Sequence, residues 1–152
     1  MCWNLFKKKT EKPIEYVVHE MSWEDLVKLL GDNGLELMLK PKFKPDYNVY
    51  FTDEAGWSKI IPYLTYSAEV YVEWERRDCD DYSKKASADA GFNYGLFCAQ
   101  AWGNCRYGVH AFNLVVTSPT TFKLFEPNAI FDEVAGRLIE QGEESWQAKN
   151  WK

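Results

Sequence analysis

The sequence predicts one α+β domain. Three observations carry this: 152 residues with 46% hydrophobic and 16% aromatic content suffice for one core; three segments in the first ninety residues have helical apolar spacing; and strand-like runs crowd positions 91 to 127. The domain is expected to span 13–152, behind a tail at 1–12.

That tail, "MCWNLFKKKTEKP", mixes Trp3, Leu5 and Phe6 with Lys7, Lys8, Lys9 and Lys12. A frayed terminus ahead of Pro13 is the simpler reading, a weak touch on an acidic membrane the other. "EYVVH" at 15–19 reads as a short strand. In "SWEDLVKLLG", Trp23, Leu26, Val27 and Leu30 fall at i, i+3, i+4 and i+7, Ser22 and Asp25 are placed as a capping box, and Gly31 is the expected stop. "NVYF" is extended. "DEAGWSKIIPYL" is helical through Trp57, Ile60, Ile61 and Leu64, with Pro62 ending or kinking it.

"AEVYVEW" alternates as an extended lead-in to a helix over 78–90. Cys79, Tyr82, Ser83, Ala86 and Ala90 share one small face of it, suited to packing on a sheet. Cys79 then lies in the first turn behind Asp78 as N-cap, where free N–H groups and the helix dipole favour an anion. "GFNYGLFCAQAW" reads as a central strand covered on both faces. "YGVHAFNLVVT" places His110, Phe112, Leu114 and Val116 on one face, and "TFKLFEP" closes its strand at Pro127. The 131–139 stretch has roughly helical spacing, and Trp146 and Trp151 are expected to close the core.

Composition excludes several classes. A net charge of −5 and no clustered basic face argue against nucleic-acid binding. No apolar run reaches the roughly 18 residues of a membrane span, and the amino terminus lacks a secretion signal, so a cytoplasmic location is expected. Cys2, Cys79, Cys98 and Cys105 form no C-x-x-C pair, so neither a zinc site nor a redox centre is expected; Cys98 and Cys105 read as reduced, partly buried thiols.

Hairpin register links the remaining chemistry. If the "TSPT" loop has three or five residues centred on Ser118, His110 faces Glu126 across the ladder, with Cβ atoms about 5 Å apart. An even loop breaks that alignment. Cys79, His110 and Glu126 then form a nucleophile, a general base and acid, and a carboxylate that holds the imidazole. The other histidine, His19, reads as a surface residue.

The elements "DCDDYS", "GVHAFNLVV" and "FKLFEP" together resemble the papain-like and transglutaminase-like superfamily of cysteine peptidases over about residues 70 to 130. Within it they are most similar to the agglutinin-type peptidase family, the peptidase domain of the mushroom Marasmius agglutinin and its phage and bacterial relatives. The resemblance implies a nucleophile-bearing helix packed on an antiparallel sheet, thiol-dependent cleavage of peptide or isopeptide bonds, and an accessory viral or bacterial role. The oxyanion-hole glutamine of such enzymes has no counterpart; Glu73, Trp74 and Glu75 stand in that region.

Three aspartates around a nucleophilic sulfur are costly without a positive partner, and clustered hard oxygens suit Ca²⁺. The resemblance implies calcium bound by Asp78, Asp80 and Asp81. The alternative is that Asp78 caps the helix, Asp80 and Asp81 complement its dipole, and Arg76 and Arg77 balance the charge. The expected function is therefore a cysteine peptidase acting on a protein or peptide substrate. A transglutaminase-type acyl transferase or a catalytically inactive protein-binding module are the alternatives, and oligomeric state is not legible.

Overall fold

A computed structural model describes residues 14–38, 46–70 and 77–152. The expected tail at 1–12, most of the "AEVYVEW" lead-in, Arg76 and Glu73 to Glu75 lie outside the described residues.

Among the described residues the first strand is β1 (His19–Ser22). "EYVVH" is therefore not the first strand: 15–18 run without regular structure, and pairing starts only where His19 meets Phe51. Helix α1 (Trp23–Asp32) starts as expected, with the Ser22 hydroxyl accepting from the Asp25 N–H at 3.0 Å. It passes Gly31 and ends at Asn33, because Gly34, at φ +80°, supplies the left-handed residue that releases the chain. Strands β2 (Glu36–Leu37) and β3 (Asn48–Phe51) follow, and β3 pairs with β1 in a two-stranded antiparallel ribbon. Helix α2 (Glu54–Ile60) gives way at Pro62 to a 3₁₀ turn over Ile61–Leu64, and a further 3₁₀ turn occupies Ala68–Val70 where an extended segment is expected.

Helix α3 (Cys79–Tyr94) is one turn longer than the sequence suggests. Gly91 stays helical and Gly95, at φ +67°, is the left-handed cap, so "GFNY" belongs to the helix and the next strand begins later. That strand, β4 (Cys98–Cys105), joins β5 (Gly108–Ser118) and β6 (Thr121–Phe125) as an antiparallel meander. The 131–139 stretch is turns, not a helix, although Val134 and Ile139 are fully buried. Strand β7 (Gln147–Trp151) completes a five-stranded sheet in the order β2, β7, β4, β5, β6.

Both faces of the sheet are covered, as the unbroken apolar character of β4 and β5 requires. Leu26 and Leu30 of α1 pack with Phe112, Leu114, Val116, Trp146 and Trp151 in one cluster. Trp57, Ile60, Ile61 and Leu64 pack with Ala86, Ala90, Val115 and Phe125 in the other. Gly103 marks the tightest point: a Cβ there would lie 1.8 Å from the Gln147 carbonyl oxygen, at the bulge where β7 crosses β4. The result is a single small α+β domain. Among the described residues no helix is long and apolar enough to cross a membrane.

Candidate active site

The site begins with how α3 is pinned to β5. Small residues on its buried face let the helix approach closely, and two polar contacts fix its height. The Ser83 hydroxyl donates to the Phe112 carbonyl at 2.8 Å, and the Asn113 amide donates back to the Ser83 carbonyl at 3.0 Å. Both residues are fully buried. Cys79 lies one turn before Ser83 on that face, and His110 lies two residues before Phe112. The pinning brings them near enough that the Cys79 thiol raises the His110 pKa. Cys79 is the first residue of α3 and only half-buried.

His110 is 8% exposed and Glu126 is fully buried. Their contact is Nε2 to Oε2 at 2.7 Å. With Nε2 engaged by the carboxylate, Nδ1 is the nitrogen left for the thiol. Burial pulls the imidazole toward neutrality, but the hydrogen bonds from Cys79 and Glu126 outweigh it and raise the His110 pKa to about 9. Burial pushes the Glu126 carboxyl up, opposed by His110 and by the Asn128 backbone N–H. That N–H donates to Oε1 at 2.8 Å, so each carboxylate oxygen has one partner.

The expected register is corrected here. Ser118 pairs with Thr121 around a two-residue loop, Pro119–Thr120, and the ladder from Val116↔Phe122 to Asn113↔Phe125 continues to Glu126 opposite Phe112, not His110. An even loop alone would turn Glu126 to the other face. A bulge between Val116 and Ser118 supplies one extra residue and restores parity. Glu126 thus shares His110's face and reaches it diagonally.

Aromatic rings enclose the imidazole. Phe131 lies 4.8 Å from it between centroids, Trp146 5.5 Å in an edge contact, and Phe112 6.2 Å. They exclude water from the His110–Glu126 hydrogen bond, which strengthens it. Phe131 and Trp146 read from sequence only as core, because nothing in their spacing says which polar group they surround.

Asp78, Asp80 and Asp81 can bring one carboxylate oxygen each within 4.8 Å of the others. Asp78 stands at the N-cap position but makes no side-chain capping bond. Asp81 accepts from the Arg77 N–H at 3.0 Å, with Arg77 at φ +57°. Among the described residues Lys84, one turn on, offsets this charge: its ammonium pairs with Asp80 and lies 3.3 Å from Asp81. Hydrogen bonds from Asp78 and then Lys84 hold the Asp80 carboxyl below its ordinary value. The donor set fits a hard divalent cation, provided that Lys84 swings out.

The remaining cysteines divide cleanly. Cys98 is buried and its thiol is pushed up to about 12 by desolvation. Cys105 is buried at the far end of β4, opposite Gly108, close enough to Cys79 and Glu126 to feel their charge. Cys98 and Cys105 sit seven residues apart on one strand, about 23 Å, too far for a disulfide, and both thiols are free. His19 is exposed and stacks on Phe51.

No protein-family model and no curated protein matches the sequence. Solved structures do. One, described as "PSL1a-E64 complex", aligns over 87% of this chain and 50% of its own at 20% identity and a TM-score of 0.55. Another, the lectin of Polyporus squamosus bound to the human-type influenza-binding epitope Neu5Aca2-6Galb1-4GlcNAc, aligns over 71% of this chain and 42% of its own at 20% identity and a TM-score of 0.45. This chain thus spans about half the length of the PSL1a chain. The likeness to PSL1a is one of fold.

Proposed function

We propose that the protein is a thiol-dependent hydrolase that cleaves peptide or isopeptide bonds through a thioester on Cys79. One observation carries the reading: the His110 ring is bonded to the buried Glu126 carboxylate at 2.7 Å and stands near enough to the Cys79 thiol to be raised by it. His110 Nδ1 takes the thiol proton as the sulfur attacks the substrate carbonyl. The imidazolium, stabilised by Glu126, then protonates the leaving amine, and water resolves the thioester with His110 as base. The Cys79 N–H, unpaired within the helix at its first position, is one donor for the developing oxyanion. An amine in place of water would make the same acyl-enzyme a transglutaminase.

Calcium belongs to this proposal. Asp78, Asp80 and Asp81 would hold it, and its charge would offset the carboxylates beside the sulfur. PSL1a, whose solved structure is described as a complex with E64, shares the fold.

A second reading is a binding module that takes a protein or glycan partner in the same place without turnover. Lys84 favours it: its ammonium pairs with the carboxylates that calcium would need. The likeness to PSL1a reaches only as far as fold, so it agrees with this reading as well as with hydrolysis. A quenched-fluorescent peptide library, incubated with the protein with and without calcium, separates the two. Cleavage that disappears in Cys79→Ala supports hydrolysis; no cleavage in either condition, with retained partner binding, supports the module.

A further inference from the structure

Glu126 reaches His110 only because the chain after it is held, and the hold converges on Asn128. This residue is fully buried. Its backbone N–H donates to Glu126 Oε1 at 2.8 Å, and its side-chain Oδ1 accepts from the Ile130 N–H at 3.0 Å, which closes a tight turn. Its carbonyl accepts from the Phe131 N–H at 3.2 Å, so the same residue sets where Phe131 begins. The turn is clasped from outside by Tyr66, whose N–H donates to the Pro127 carbonyl at 2.8 Å and whose carbonyl accepts from the Ala129 N–H at 3.0 Å.

The side-chain Nδ2 of Asn128 is buried with no hydrogen-bond partner among the described residues. A desolvated donor costs stability, so what the amide contributes lies in its acceptor and in the turn it closes. An aspartate would offer the same acceptor but would set a second carboxylate two residues from Glu126.

We propose that Asn128 is the positioning residue of the site: its buried amide locks the 126–131 turn that aims Glu126 at His110 and lays Phe131 against the imidazole. The inference rests on the hydrolase reading for its catalytic meaning but not for its geometry. Without the Oδ1 acceptor the turn opens, Oε1 loses its N–H, and the carboxylate no longer holds the ring at the diagonal distance. His110 is faced by Cys79 from α3 and by Glu126 from the end of β6, with Cys105 of β4 nearby; only the Glu126 contact depends on Asn128.

The experiment follows the His110 ring by NMR titration in the full chain, with His19 as the internal reference, and measures Cys79 alkylation by iodoacetamide in the same samples. In Asn128→Ala the His110 midpoint is expected to fall by roughly one pH unit and alkylation to slow by about tenfold, with His19 unchanged. Asn128→Asp keeps the acceptor and adds a carboxylate near the ring, so its His110 midpoint is not expected to fall below the parent's. If Asn128→Ala does not fold, Asn128→Gln, which displaces the amide by one methylene, is expected to show the same fall. A folded Ala or Gln variant with the His110 midpoint and alkylation rate of the parent overturns the proposal, as does failure of both to fold, which makes the turn structural only. The histidine readout needs no turnover, so a protein that cleaves nothing yet shows the shift refutes the hydrolase reading and leaves the positioning intact.

Discussion

His110 and Glu126 meet on a diagonal, with 2.7 Å between Nε2 and Oε2 although their backbones are two residues out of register. Diagonal neighbours in an antiparallel pair have Cα atoms about 7 Å apart, a span that only a long side chain closes. Glutamate is therefore required by geometry as well as by charge. Glu126→Asp, shorter by one methylene, is expected to break the contact and slow Cys79 alkylation about as much as Glu126→Gln, roughly tenfold or more. Full activity in Glu126→Asp would mean that the strands face each other in the register the sequence suggests.

Stability should carry the mark of the same pair. The folded-state pKa of His110, about 9, lies above its unfolded value of 6.5, so the protonated ring favours the folded state. This contribution is fully present below pH 6.5 and is lost as pH rises through about 9. Urea unfolding between pH 6 and 9.5 is expected to show falling stability through that window, and the fall should flatten in His110→Gln.

The polar pins between α3 and β5 set the position of the nucleophile. Ser83→Ala leaves the Phe112 carbonyl without its side-chain donor in a buried place, at a cost of about 1–3 kcal/mol. Asn113→Ala removes an amide that has Ser83, Ser87, Cys98 and Ala99 as acceptor neighbours, and it is expected to cost at least as much. Chemical denaturation gives both values, and labelling of Cys79 should slow in each beyond any change in global unfolding.

Lys84 and a divalent cation compete for the same carboxylates. Lys84→Met is expected to strengthen calcium binding several-fold and Asp80→Asn to weaken it, each measured by isothermal titration. Equal affinity in Lys84→Met and the parent would place any calcium elsewhere.

How much of this is legible in the sequence follows from the range of each interaction. Local signals read well: Ser22 with Asp25, Pro62, and the small face of Cys79, Ser83, Ala86 and Ala90 all act within one or two turns. Helix ends are misread where one glycine is passed over for another, as with Gly31 and Gly34 or Gly91 and Gly95. The 131–139 stretch misleads because apolar spacing records burial, and Val134 and Ile139 are buried in turns. Face sharing by His110 and Glu126 is not fixed by the sequence: the odd loop that would give it is absent, and the bulge that restores it has no sequence signature. Asn128, Phe131 and Trp146 emerge only in three dimensions, because their partners are distant in the chain.

The central claim is that the Cys79 sulfur reacts because His110 and Glu126 stand behind it. Its most direct measurement is the site-resolved rate of alkylation at the free thiols, read by mass spectrometry, in the parent, His110→Ala and Glu126→Gln. Selective labelling of Cys79 over Cys98 and Cys105 that collapses in both variants is the expected result. Labelling of Cys79 at the same rate in all three proteins would contradict it.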